Sequence, residues 1–535
     1  MIDPSIGKYD LESNTTGMYK NDDEGKLSSY REYVQNATDA IDDAVLRGIV
    51  SASDAEIHIV IDRQHRKISI KDNGCGVGAA TAAQVLTDIG NSSKDYTQNR
   101  GFRGIGRLGG TSYCDTLRFI TTAKGEKTKS IVTWDCALMR ELLSPQNTQY
   151  IYAVDVIKAV TTYESAETEN EDSHYFEVVM EGIISEADIL LDEEAVNTYL
   201  SVVAPVDFNS QKFPKASEIK SKYQQMGYTI PTYRIFFGTR KLPIYKPYSL
   251  RLDTSVGQSR TKENELVRTV EYFTKTSTDG TLLYIGWLAI TDFSGSIKDE
   301  KVRGIRFRKA NILVGDENLF NKFFPSEGYR ANKMFAGEIH VLSTEIIPNS
   351  RRDDFEQLGP HYTEMEEALT EWAGSINKKY RRGTSSATSA IRTIKQLNQE
   401  QHDLVLQVSE GAISSETKRE ELAKQIEKIE KKRAEAEKTV RKAIETGTFD
   451  SIKVQSVQEL LEVTEQEKKK LPEIASQVVN AGYATKNDLP SSYSREVRKV
   501  YERIINVIDS YFADNPSTAA ELREAIKKEL SEKKK

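Results

Sequence analysis

The chain has 535 residues, 38% hydrophobic and 29% charged, with a formal net charge of −7, which fits a polar globular protein of about three domains. No run approaches eighteen apolar residues, and Met1-Ile2-Asp3-Pro4 shows no basic stretch followed by an apolar one, so neither a transmembrane helix nor a signal peptide is expected. Cys75, Cys114 and Cys136 make no disulfide framework and match no zinc spacing, as expected in a reducing cytoplasm, and the acidic balance argues against general coating of nucleic acid but not against a local basic groove.

Residues 1–29 are polar and irregular, an N-terminal arm. A first region, 30–203, mixes helix and strand. Tyr30 to Ile41 reads as a helix in which Glu32 and Asn36, at i and i+4, share one face. Tyr33, Val34, Ala37, Ala40 and Ile41 form the opposite, core-facing stripe. A carboxylate can take a proton from water, and an amide oxygen can bind a hard cation. The alternation in 56–61 and 67–70 predicts a hairpin turning at 62–66, and 117–122 with 129–134 predicts a second, turning at Gly125.

Asp72-Asn73-Gly74-Cys75-Gly76 follows the first hairpin. Its glycines let the backbone approach a flat ligand, and its aspartate can accept from an exocyclic amine, although the pattern alone also suits a plain turn. Ser92-Ser93-Lys94 lies in a polar loop. In Asn99-Arg100-Gly101-Phe102-Arg103-Gly104-Ile105-Gly106, the glycines free backbone N–H groups for phosphate oxygens. No strand directly precedes this run and no Lys-Ser ending follows it, which argues against the dinucleotide fingerprint and the P-loop. Residues 165–173 read as an acidic loop and 193–203 as a helix ending before Pro205.

A second α/β region, 204–382, has strand candidates at Tyr233–Phe237, Leu282–Ile290, Gly304–Val314 and Glu338–Leu342. Two basic runs, 301–309 and 378–382, are candidate nucleic-acid contacts or else solvated faces. Residues 383–395 open with Gly383-Thr384-Ser385-Ser386 and read as a linker. From 396 to 535 the composition is helical. Leu422, Ile426, Ile429, Arg433, Ala436, Val440 and Ala443 form a heptad seam that suits either packing within the chain or an intermolecular coiled coil. Further helices are expected at 455–471, 491–513 and 517–533, bounded by Pro472, Pro490 and Pro516.

Together and in this order, a helix bearing Glu and Asn, an Asp-x-Gly-x-Gly loop and a glycine-rich segment resemble the GHKL ATPase superfamily, which includes gyrase B subunits, 90-kilodalton heat-shock chaperones, histidine kinases, MutL and MORC proteins. The resemblance implies an α+β protein: an α/β sandwich of the Bergerat fold over 30–203, an α/β transducer domain over 204–382 and a helical coiled-coil region. It implies ATP and Mg²⁺ as cofactors, Glu32 as the general base, Asn36 as the Mg²⁺ ligand, and Asp72 reading adenine between Gly74 and Gly76. Gly101, Phe102, Arg103, Gly104, Ile105 and Gly106 would form the phosphate lid, with Ser92, Ser93 and Lys94 near it.

Ile346-Ile347-Pro348-Asn349-Ser350-Arg351-Arg352 resembles the Asn-x-Ser-Arg-Glu segment of the heat-shock chaperones, although here Asn349 and Ser350 are adjacent. Arg351 or Arg352 would then neutralise charge on the transferred phosphoryl group. The same residues suit a helix N-cap. A Gly-Thr pair usual before a late strand is replaced by Ser173-His174. With no phosphoacceptor helix ahead of residue 30, histidine kinases fit poorly. The resulting expectation is a cytoplasmic Mg²⁺-dependent ATPase working as an ATP-gated homodimeric clamp. The alternatives are a MORC- or MutL-like clamp on nucleic acid, and a chaperone-like scaffold or bacterial-defence sensor with a separate effector protein.

Overall fold

The computed structural model describes residues 11, 22–88, 106–147, 149, 152–167, 169–255, 262–291, 293, 295–381, 387–409, 416–445, 451–480, 493–512 and 516–532. It divides into two compact units, Met1–Asn377 and Lys378–Lys535.

The first unit opens with α1 (Asp23–Leu46). Asp22 starts it, its carboxylate accepting from Gly25 N–H at 2.8 Å, and Asp23 and Glu24 suit the positive end of the helix dipole. Tyr33, Val34, Ala37 and Ile41 are buried, so the apolar stripe is the core face. Then come β1 (Glu56–Asp62), β2 (Lys67–Asp72), α2 (Ala79–Thr87), β3 (Thr116–Thr122), β4 (Thr128–Asp135), α3 (Cys136–Leu143), α4 (Ala153–Val160), β5 (Thr161–Glu167), β6 (Tyr175–Glu181), α5 (Glu193–Val203), α6 (Lys215–Gln225) and β7 (Arg234–Phe237).

The first sheet runs β5-β4-β3-β6-β2-β1-β7. Both predicted hairpins are present, with Ile59 opposite Ile70 and Phe119 opposite Val132. The acidic stretch 165–173 is not wholly loop, because its first residues complete the edge strand β5, whose partner is β4. β7, expected among the strands of the second region, instead pairs in parallel with β1.

The second sheet runs β10-β11-β15-β13-β14, built from β10 (Thr269–Thr276), β11 (Leu282–Ile290), β13 (Gly304–Lys309), β14 (Ile312–Val314) and β15 (Ala336–Val341). A small sheet holds β8 (Arg251–Ser255), β9 (Lys262–Leu266) and β12 (Ser296–Ile297). α7 (Gly359–Arg381) docks through Trp372, stacked on Phe273 with ring centroids 3.6 Å apart. The N-cap reading of Asn349 and Ser350 fails, because α7 begins at Gly359 and 348–355 is a loop pinched by a bridge between Pro348 and Phe355.

The second unit holds α8 (Ala387–Ser409), α9 (Glu416–Glu445), α10 (Ser451–Asn480), α11 (Arg495–Tyr511) and α12 (Pro516–Glu532). α8 already begins at Ala387, inside the expected linker. The heptad residues Leu422, Ile426, Ile429, Arg433, Ala436, Val440 and Ala443 are all buried within the chain, where α9 packs on α8 and α10. Arg433, the charged step of that seam, donates to Gln401 Oε1 of α8 at 2.5 Å. Pro472 does not stop its helix, which runs on to Asn480, and Pro516 opens α12, where its missing N–H is not needed.

Candidate functional site

Three stretches of the first unit converge on α1. Tyr30 Oη donates to Leu190 O at 2.7 Å, and Tyr33 Oη accepts from Gly110 N at 2.8 Å, which fixes the rotation of the helix. Glu32 and Asn36 are partly exposed on its other side. Gly106, the described end of the glycine-rich run, lies so close that a Cβ there would collide with Glu32 Oε2. A larger residue at that position would have to displace the Glu32 carboxylate. Gly101, Phe102, Arg103, Gly104 and Ile105, together with Ser92, Ser93 and Lys94, lie outside the described residues.

Arg31, given no role by the sequence reading, flanks Glu32. Its Nη2 is 3.1 Å from Glu32 Oε1, and both side chains are 13% exposed. The same Nη2 reaches Arg351 O of the second region at 3.5 Å. The main chain of the arginine segment therefore meets the Glu32 helix. The segment itself is a tight loop. Asn349 N donates to Asp354 O at 2.9 Å, and Gly315 N donates to Arg352 O at 2.8 Å. Arg352 takes a left-handed φ of 57° and is nearly buried, while Arg351 is exposed.

Asp72 ends β2 and is buried, with its Oδ1 accepting from Gly74 N at 2.8 Å. Gly76 has φ of 63°, and a Cβ there would strike Thr122 O, so only glycine fits. Thr121 clasps the loop, accepting from Val77 N at 2.8 Å and donating to Tyr175 O at 2.9 Å. His174 Nδ1 lies 2.9 Å from Gly74 O, so it contributes at the place where a Gly-Thr pair was missed. The Thr122 hydroxyl is buried without a hydrogen-bond partner. Thr121, Thr122 and His174 carried only a weak signal: two threonines closing a strand, and a histidine opening the next. Burial, helped by the nearby Asp43 carboxylate, raises the pKa of Cys75 in the same loop, keeping the thiol protonated and poorly nucleophilic at neutral pH.

These residues fit a nucleotide and its metal. A buried carboxylate beside a glycine-lined turn suits an amine-bearing planar base. Asn36 offers a neutral hard oxygen, and Mg²⁺ takes few protein ligands when phosphates and water complete its octahedron. Among the described residues no three His, Cys, Asp or Glu side chains cluster as a metal cage, so the ion's other ligands would come with the nucleotide.

The basic run 301–309 turns much of its charge inward. Arg306 and Arg308 are buried. Arg308 binds Glu338 Oε1 at 2.5 Å, Asn311 O at 2.9 Å and Val202 O at 2.8 Å, the last being a carbonyl in the final turn of α5. Glu338 also binds Lys246 at 2.6 Å, His340 at 3.2 Å and Tyr248 at 3.3 Å. Burial and then the Arg308 charge lower Lys246 to about 7. Burial lowers His340 to about 4 against the pull of Glu338. Burial alone would raise Glu338, but Arg308 and Lys246 hold it ionised, well below the usual carboxylate range. Arg303 pairs with Glu300 at 2.9 Å and Glu317 at 3.3 Å, and Lys309 is lowered by burial to about 8 and donates to Ser343 O. Of the run 378–382 only the Lys378 side chain is described, and it is exposed.

Residues 29–165 match the family described as histidine kinase-, DNA gyrase B- and HSP90-like ATPases. A comparison with curated proteins finds no match. No helix among the described residues is long and apolar enough to cross a membrane.

Proposed function

We propose that residues 29–165, which belong to the histidine kinase-, DNA gyrase B- and HSP90-like ATPase family, bind Mg²⁺-ATP and hydrolyse it in a cycle gated by the second region. ATP supplies the scissile phosphoanhydride bond, and Mg²⁺ neutralises charge between its phosphates. Asp72 accepts from the exocyclic amine of adenine, with Gly76 giving the base its room. Asn36 holds the metal. Glu32 takes the proton of the attacking water, and its Oε2 faces the backbone at Gly106. Arg351 or Arg352 balances charge developing on the transferred group.

One observation carries this reading: Arg31 joins Glu32 at 3.1 Å to the Arg351 carbonyl at 3.5 Å. It supports a site completed only when the second region is docked, as in a clamp whose closure gates turnover. The clamp would be homodimeric. The buried state of Arg306 and Arg308 gives no support to a nucleic-acid grip through that run.

Phosphate release from ATP, with and without Mg²⁺, tests the chemistry. Turnover that requires the metal and falls when Arg351 and Arg352 are both changed to alanine is expected. Turnover indifferent to both arginines would remove the second region from the mechanism.

A further inference from the structure

The loop that carries Arg351 and Arg352 is gripped at both ends by the first turn of α7. Beyond β15 the chain passes through Ser343 and Glu345 into that loop and leaves it through Asp354. His361, in the first turn of α7, and Ser343 are both buried. His361 Nε2 lies 2.9 Å from Asp279 Oδ2, in the turn between β10 and β11, and its Nδ1 lies 2.8 Å from Ser343 Oγ. The Thr281 N–H and then His361 hold the Asp279 carboxyl well below the usual carboxylate range, so it only accepts. Nε2 therefore carries the hydrogen, and Nδ1 of the neutral ring accepts from the Ser343 hydroxyl. Glu345 N donates to the same hydroxyl oxygen at 3.2 Å. The Glu345 carboxylate, 3.3 Å from Nδ1, gives a protonated ring a second acidic partner, so the ring is held in either state. At 2% exposure Ser343 has no room to meet a substrate, so this Ser-His-Asp string is a clasp and not a nucleophile relay.

The same turn fixes the other end of the loop. Lys322 Nζ donates to both Asp354 oxygens at 2.7 Å and lies 3.5 Å from Tyr362 Oη, the neighbour of His361. Glu364 accepts from Thr278 N at 2.9 Å and Thr278 Oγ1 at 2.8 Å, which ties α7 to the turn that holds Asp279. Between these anchors Arg352 keeps its left-handed φ of 57°, a conformation that persists in an arginine only where the surroundings impose it. The anchored loop sets Arg351 O 3.5 Å from Arg31 Nη2, beside Glu32.

We infer that His361 is a positioning residue for ATP hydrolysis: by clasping Asp279 and Ser343 it holds the arginine loop in the shape that presents Arg351 to the Glu32 helix. This rests on the reading that Arg351 or Arg352 completes the site. The test uses the full chain and compares His361→Ala, Arg351→Ala/Arg352→Ala and the triple variant with wild type. In His361→Ala, turnover at saturating Mg²⁺-ATP is expected to fall by about 10-fold with ATP affinity unchanged. Trypsin should cut after Arg351 or Arg352 several-fold faster than in wild type, because the loop opens more often. The triple variant should turn over no more slowly than the double arginine variant, since the clasp acts only through the loop. If His361→Ala loses its cooperative thermal transition, Ser343→Ala, which removes one hydroxyl, takes its place with the same expectations. Wild-type cleavage of the loop, or a loss of turnover that multiplies with that of the arginines, overturns the inference. Turnover lowered in the arginine variant but not in His361→Ala overturns the inference alone. Turnover unchanged in the arginine variant overturns the reading beneath it as well.

Discussion

Glu32 and Glu338 each face an arginine, Arg31 at 3.1 Å and Arg308 at 2.5 Å. The surroundings differ. Glu338 is fully buried and receives Lys246, Arg308, His340, Tyr248 and Trp287. Glu32 keeps 13% exposure and turns its other oxygen to a glycine. A carboxylate ringed by donors in a dry interior has no reason to exchange protons, and its value is architectural. A carboxylate with one cation and a water-reachable face can accept a proton. The difference shows that an acid–arginine pair says little until its remaining neighbours are counted.

Breaking each pair should separate the two roles. Glu338→Ala strands Arg308 and Lys246 and is expected to cost on the order of 3–5 kcal/mol in chemical denaturation. Glu32→Ala, which strands only the partly exposed Arg31, should cost less there, about 1–2 kcal/mol. Equal losses would erase the distinction. Gly106→Ala pushes a methyl into Glu32 Oε2. Its turnover should fall by as much as about 10²-fold with little change in nucleotide affinity, read from steady-state kinetics and fluorescence titration. Asp72→Ala should do the reverse, weakening ATP binding by about 1.5–3 kcal/mol in calorimetry, with GTP affinity little affected.

A further effect concerns protons. Lys246 binds its proton more weakly when folded, at about 7 rather than 10.5. The unfolded chain therefore holds the extra proton between those values, and stability should rise with pH from about 7 to about 10.5. Lys246→Met should flatten that rise in denaturant midpoints. A slope unchanged in Lys246→Met would assign it to other groups.

What could be read from the sequence was local. The Glu32–Asn36 spacing, the Asp72 to Gly76 loop and both hairpins are short-range patterns, and the structure has α1, the loop and the strands at those positions. The Glu338 hub was invisible because Lys246, Arg308 and Glu338 come from distant segments. Arg306 and Arg308 looked like surface charge because alternation presumes one wet face. β13, paired in parallel with β15, is buried on both. Arg31 was missed for a different reason. An arginine beside a glutamate in sequence points elsewhere on an ideal helix, and only its long side chain folds back.

Glu32 is the proposed activator of water for ATP hydrolysis. Phosphate release by Glu32→Ala, measured beside its ATP affinity, tests that role most directly. Unchanged binding with turnover lowered by about 10²–10⁴-fold is the expected result. A variant that binds and hydrolyses ATP as fast as wild type would contradict the account.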